Sequence, residues 1–346
     1  MVHGAIEGPV QFSHLPAELT RKIVDEADME SILSVRKVSR DLHDHAAASL
    51  TADRERILSY YVDDAETLLA YLDEYDAIVG GYAALSFVLR DPGVLPVVLE
   101  IYAGQQSYDL LEHFLEEDPE LDLEYVSATN MDDDEGKDEL ERCVLRSTLF
   151  RCANGRQISI LCADSLSSLE PIVASWTTAL VNWFSSSAFG CGYPALTLTR
   201  RALCPNWDDL GRILRHRRLH LELCTNFEVA SHATEWPEYE DRACRRPFMQ
   251  TLPCLRKAFM CPRQTRYFGD GGSIVTVFDL LGADIDGMRR HRLAPYGITV
   301  AWRRFSRYGC DHDCGSQDPI LPPEMVVVPV AFIDHENVKL RGTRCK

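Results

Sequence analysis

The chain contains no run of about 18 apolar residues, which excludes a membrane-spanning helix. Met1 to Pro9 show no basic segment followed by an apolar core, so no secretory signal is expected. Cysteine is absent before Cys143, and all 12 cysteines lie from that point onward. Without a signal their thiols are expected to stay reduced, in cytosol or nucleus. Their confinement to one side suggests that the C-terminal half packs as its own unit. Positive charge is also scarce: 36 Lys and Arg face 53 Asp and Glu, for a net charge of −17. That balance excludes general binding to nucleic acid or to an anionic membrane, and no basic surface interleaved with aromatics is visible. His14, His43, His45 and His113 have no Ser, Cys or Asp at a spacing diagnostic of a nucleophilic triad. There is no internal repeat.

What remains is a 346-residue chain, 46% hydrophobic and 26% charged, enough for a small module and a larger folded part. Much of the acidity lies between Glu112 and Glu141, and residues 130–138 read as an acidic, solvated loop. At the N-terminus, Pro16 marks a helix start with Ser13 as a candidate cap. Leu19, Ile23 and Val24 follow at helical spacing, with Glu18, Arg21, Lys22, Asp25 and Glu26 on the other face. Asp28 can cap a second helix carrying Ile32, Leu33 and Val35, and Val38 and Leu42 continue the apolar face. Three helices of roughly 40 residues bury little core alone, so a partner is expected to supply burial.

The motifs Leu15-Pro16-Ala17-Glu18-Leu19 and Val38-Ser39-Arg40-Asp41-Leu42, in that order and spacing, resemble an F-box. Ala27-Asp28 departs from the pattern, where a bulkier apolar residue is usual. The resemblance implies docking on the Skp-type adaptor of a cullin–RING ubiquitin ligase through Leu15, Pro16, Leu19, Ile23, Ile32, Leu33, Val35, Val38 and Leu42.

Farther on, Leu50 to Leu72 reads as one or two helices, Ala77–Gly81 as a strand entering a glycine turn, Tyr82–Leu89 as a helix and Val97–Tyr102 as a strand. Tyr108–Phe114 reads as a helix, Ile158–Cys162 as a strand, Pro171–Phe184 as a helix and Asp208–Leu214 as another. Ser273–Phe278 is expected to be a strand after a hairpin-like turn, and Met325–Phe332 an edge strand interrupted by Pro329. Strand, glycine pair, helix, strand resembles the opening of a nucleotidyltransferase fold. Together with Gly155–Ile160, Cys191–Leu198 and Cys261–Ser273 it is similar to fungal proteins with a degenerate core of that kind. In active members, carboxylates on two strands share magnesium ions. Here the matching positions hold Val98, Glu100 and Ser159, so one carboxylate remains and cannot offset the dehydration of two divalent ions. Gly80, Gly81, Glu100 and Ser159 would form a vestigial nucleotide site.

Cys310, His312 and Cys314 could supply part of a zinc site, but no second pair has finger-like spacing. A surface loop with incidental thiols is the simpler reading. The basic stretch Arg200 to Arg218 is expected to answer the acidic loop at Asp132–Glu135, and Trp176, Trp183, Phe184 and Phe189 to be core. The expected fold class is α/β (α+β), with an F-box-like module at 11–50, a helical linker at 51–74 and a mixed-sheet nucleotidyltransferase-like domain at 75–346. The expected role is a target-recognition subunit binding a Skp-type adaptor and an unknown protein target, with no cofactor, no membrane and no nucleic acid. Two other readings stand beside it: a metal-dependent transferase using Gly80, Gly81 and Glu100, and a non-catalytic interaction protein whose N-terminal helices pack internally.

Overall fold

Each of the first helices begins where a capping residue or proline allows it. In the computed structural model, which describes residues 15–130, 143–204, 212–231, 233–237, 258–260, 264–278, 298–302 and 326–329, α1 (Ala17–Asp25) follows Pro16. α2 (Met29–Val35) is capped by Asp28, whose carboxylate accepts from the Ser31 N–H at 2.7 Å. α3 (Arg40–Leu58) starts at Ser39 and α4 (Ala65–Glu74) at Asp64, each accepting from the backbone three residues on. The fold is mixed α/β. After β1 (Ile78–Val79) come α5 (Gly81–Leu89), β2 (Val98–Ala103), α6 (Tyr108–Glu117), β3 (Leu123–Asn130), β4 (Val144–Cys152) and β5 (Gln157–Ala163). α7 (Leu169–Val173), β6 (Asn182–Phe184), β7 (Ala188–Cys191), α8 (Pro194–Thr197), β8 (Arg201–Leu203), α9 (Arg212–Thr225) and β9 (Glu228–Ala230) follow. The last described elements are β10 (Arg266–Tyr267), β11 (Ile274–Val277), β12 (Ile298–Trp302) and β13 (Val326–Pro329).

The main sheet runs β11-β7-β6-β1-β2-β5-β4-β3. β2 and β5 are parallel and every other neighbouring pair is antiparallel. β13 sits at the edge of a three-stranded sheet beside β12, where Pro329 removes no interior ladder donor. Alternation sorts the main sheet's side chains. Val79, Leu99 and Ile101 face a core shared with α1–α6, while Ile78 and Tyr102 face a second core with Ile172, Trp183 and Trp302. Within the first core, the ring of Phe87 lies 5.4, 5.0 and 5.6 Å from those of Phe184, Phe189 and Phe278.

The opening helices belong to this same core: Val24, Met29, Ile32, Ala46 and Leu50 join Phe87 and Phe278 in it. The expected division at residue 50 therefore falls inside α3, which runs unbroken from Arg40 to Leu58. Arginines bind the two parts together. Arg36, after α2, donates to the carbonyls of Val277 (3.0 Å) and Phe278 (3.1 Å). Arg54 of α3 donates to the Ser186 carbonyl and lies 4.5 Å over the Phe278 ring. Arg90 ends α5 in the left-handed region, at φ 53°. Its Nε meets Asp53 at 2.7 Å, and its terminal nitrogens donate to the carbonyls of Val24, Asp25 and Ala27 and to Ser49 Oγ at 2.6–3.1 Å. All five guanidinium donors are used, and three of them go to carbonyls at or just past the end of α1, of which that of Val24 also accepts from the Ala27 N–H.

The segment Pro171–Phe184 is not the helix its composition suggests: α7 stops at Val173 and β6 begins at Asn182. Side chains take over the backbone's partners there. Thr178 Oγ1 accepts from the Leu203 N–H at 2.8 Å, and Asn182 Nδ2 donates to the Ala179 carbonyl at 2.6 Å. Trp176, Trp183, Phe184 and Phe189 are buried. Among the described residues no helix is long and apolar enough to cross a membrane, and Cys152, Cys162 and Cys191 are buried and form no disulfide.

Arg90→Ala is expected to lower the unfolding free energy by about 3 kcal/mol, the low end for removing one member of a buried pair. The low end applies because Arg56 still holds Asp53 at 2.7 Å. Arg90→Gly should recover about 1 kcal/mol of that by removing the left-handed strain. Denaturant unfolding compares them; a glycine variant as stable as the parent would mean that the arginine contributes no net stability.

Candidate functional site

α1 carries two apolar faces. Thr20 and Val24 point inward. Leu19 and Ile23 point outward, 50% and 45% exposed, beside an exposed Pro16 and a half-buried Leu15. Val38, in the turn before α3, is 70% exposed, and Leu33 and Val35 are half-buried. Ile32 and Leu42 lie in the interior, so they back the outer face and offer no surface of their own. Ala27, the departure from the F-box pattern, packs against the core, and its carbonyl accepts from Arg90 at 2.6 Å.

The glycine turn is brought together with the other vestigial-site residues. Glu100 pairs in register with Ser159 across β2 and β5, and Val98 shares its face two residues back. Glu100 Oε2 accepts from the Tyr102 hydroxyl at 2.9 Å. A Cβ on Gly81, which has φ +59°, would collide with the Glu100 carboxylate, and one on Gly80 would collide with Ile172 and lie 2.6 Å from the Tyr102 ring. The glycines are therefore required by the protein's own side chains, which occupy the space over the turn. α9 closes in beside it, with His220 edge-on to Tyr82 at 5.3 Å. Burial pushes the Glu100 carboxyl up from its ordinary range, opposed by the Tyr102 hydrogen bond and by the Arg217 guanidinium. Among the described residues no three His, Cys, Asp or Glu side chains are grouped to hold a metal ion.

A third place emerged only in three dimensions. The rings of Tyr71, Tyr75 and Phe114 stack nearly parallel, with centroids 5.7–6.5 Å apart. Two of them, Tyr71 and Phe114, border an open hollow of about 360 Å³ whose other lining residues are Glu117, Asp118, Pro119 and Glu120. The Tyr71 hydroxyl donates to Asp118 Oδ2 at 2.6 Å, which pushes its own pKa up to about 12. α6 ends in Glu116 and Glu117 with no basic residue in its last turn. Each such carboxylate works against the helix dipole by about 0.3–1 kcal/mol. The sequence offered a signal in Leu110 and Phe114, four apart on a helix running into acids.

Of the remaining candidates, Ser13, Cys310, His312, Cys314 and the acidic residues 131–138 lie outside the described residues. The basic stretch has partners other than that loop. Arg200 binds Asp91 (2.5 Å) and the Thr225 carbonyl (2.7 Å), Arg201 binds Glu228 (2.9 Å), and Arg218 binds Glu222 (3.1 Å). No family model matches the chain, and neither a curated protein nor a solved structure matches it.

Glu100→Gln is expected to raise the melting temperature above about pH 7, because a carboxyl with a raised folded pKa opposes folding only when ionised. The advantage should shrink as pH falls toward 4.5, the ordinary value. Thermal melts across pH test this; a variant less stable than the parent at alkaline pH would mean that Tyr102 and Arg217 hold the charge favourably.

Proposed function

We propose that the chain is a target-recognition subunit of a cullin–RING ubiquitin ligase, docking on a Skp-type adaptor through α1 and the turn before α3. The outward apolar face of α1 carries the reading. A helix that only joined an internal layer would need one apolar face. This one has a second, made by residues of the Leu-Pro-x-Glu-Leu motif, with charged side chains around it. Such a face is suited to a partner that covers it. Leu15, Pro16, Leu19, Ile23 and Val38 are the proposed contacts, with Leu33 and Val35 at the margin.

The rest of the chain is then a scaffold for target binding. The order strand, glycine turn, helix, strand and the parallel pairing of β2 with β5 support the likeness to a nucleotidyltransferase-type core. The lone Glu100 and the side chains packed over the glycine turn favour a non-catalytic role over a metal-dependent transferase. Ubiquitin chemistry would be carried out by other subunits, with this one raising the effective concentration of target.

Co-purification with a Skp-type adaptor tests the reading. The parent chain should bind, and a Leu19→Asp/Ile23→Asp variant should weaken binding at least thirtyfold, on the order of 2 kcal/mol. Because both side chains are exposed, the variant should melt with the parent. No binding by a folded parent chain would sink the adaptor role.

A further inference from the structure

The hollow at the end of α6 combines features that call for a particular occupant. Phe114 is 39% exposed and Leu110, one turn earlier on the same helix face, is 52% exposed. Large side chains left in water on one stripe mark an interaction surface more often than isolated ones do. The faces of aromatic rings carry partial negative charge and attract a cation lying over them. Around the rings stand Glu117, Asp118 and Glu120, at the negative end of the α6 dipole.

Asp118 is also held in place before anything binds. Its Oδ2 accepts from Tyr71 and its Oδ1 from the Glu120 N–H at 2.8 Å. Arg146, the arginine paired to α6, is engaged with Asp109 at the other end of the helix, at 2.6 Å. The local charge therefore favours a cation and disfavours nucleic acid or an anionic lipid surface.

We propose that this hollow binds a basic, extended segment of a partner protein. An Arg or Lys side chain of that segment lies over the Tyr71 and Phe114 rings, its charge is met by Glu117, Asp118 and Glu120, and a neighbouring apolar residue covers Leu110. Arginine suits the site better than lysine, because its planar guanidinium both stacks on a ring and pairs with carboxylates. Calling that partner the ligase target rests on the adaptor reading; the binding itself does not.

The test is fluorescence anisotropy on the full chain, with a labelled peptide of alternating Arg and Ala beside one of alternating Glu and Ala. The Arg peptide should bind with an affinity that falls with salt, and the Glu peptide should not bind. Phe114→Ser and Glu117→Gln/Glu120→Gln should each weaken the Arg peptide about tenfold, and Phe114→Trp should retain it. Asp63→Asn/Glu66→Gln, which removes two charges from a separate acidic groove beside α4, should change it less than twofold. Equal losses in both acid-neutralised variants would reduce the affinity to net charge and overturn the proposal, as would no binding by the parent chain. If Phe114→Ser alters the melt, the exposed Glu117 and Glu120 changes decide. Peptide binding that survives in a chain unable to bind the adaptor would sink the adaptor reading alone. The converse would sink this one alone.

Discussion

Arg90 is the constraint on which the arrangement of this protein depends. Its backbone takes a left-handed conformation at the end of α5, which L residues adopt at a cost. The geometry aims its guanidinium at Asp53, Ser49 and the carbonyls at the end of α1. One side chain thus ends one helix, supplies the positive charge that another helix's C-terminus favours, and pins α3 between them. With Arg36 and Arg54 tied to β11 and to the β6–β7 turn, the three opening helices cannot rotate on the sheet. That is why a particular face of α1 is turned to solvent. The proposed adaptor surface is a consequence of burial behind it.

The same logic explains the glycine turn. A nucleotide-binding turn leaves room for phosphate beside the helix N-terminus. Here Tyr102, Ile172 and the Glu100 carboxylate occupy that neighbourhood. Strand alternation puts Val98 and Glu100 on one face and register puts Ser159 beside Glu100, so these three positions carry a single acid. A lone, largely desolvated carboxyl is pushed toward its neutral form, the reverse of what divalent-ion binding needs.

Two surfaces then stand out for opposite reasons. The α1 face is apolar where an amphipathic helix should be polar, and the end of α6 is acidic where a helix terminus should be basic. Each departs from a local rule. Departures of this kind are where function tends to be found. A subunit that joins a ligase to a target needs two such surfaces, one for each partner.

The sequence by itself determined the elements and several of their boundaries. Asp28 announces a helix start by capping, the alternation in Val98–Tyr102 announces a strand, and Gly80-Gly81 announces a turn; all are local chemistry, as are the caps at Ser39 and Asp64 that the structure shows. Helix-versus-strand choice failed at Pro171–Phe184, where Thr178 bonds to the backbone of Leu203, 25 residues on, and Asn182 to the Ala179 carbonyl in place of a helical backbone donor. That α3 runs on through residue 50 and the opening helices share the sheet's core was not legible, because amphipathic spacing shows that a face is buried, not what buries it. Of the nine residues expected at the adaptor, spacing could not separate Leu19 and Ile23, which face outward, from Ile32 and Leu42, which face the core. Only the tertiary structure decided those directions, through Arg90. It also brought Tyr71 of α4 beside Phe114 of α6, since stacking between rings 43 positions apart depends on how two helices pack on one sheet.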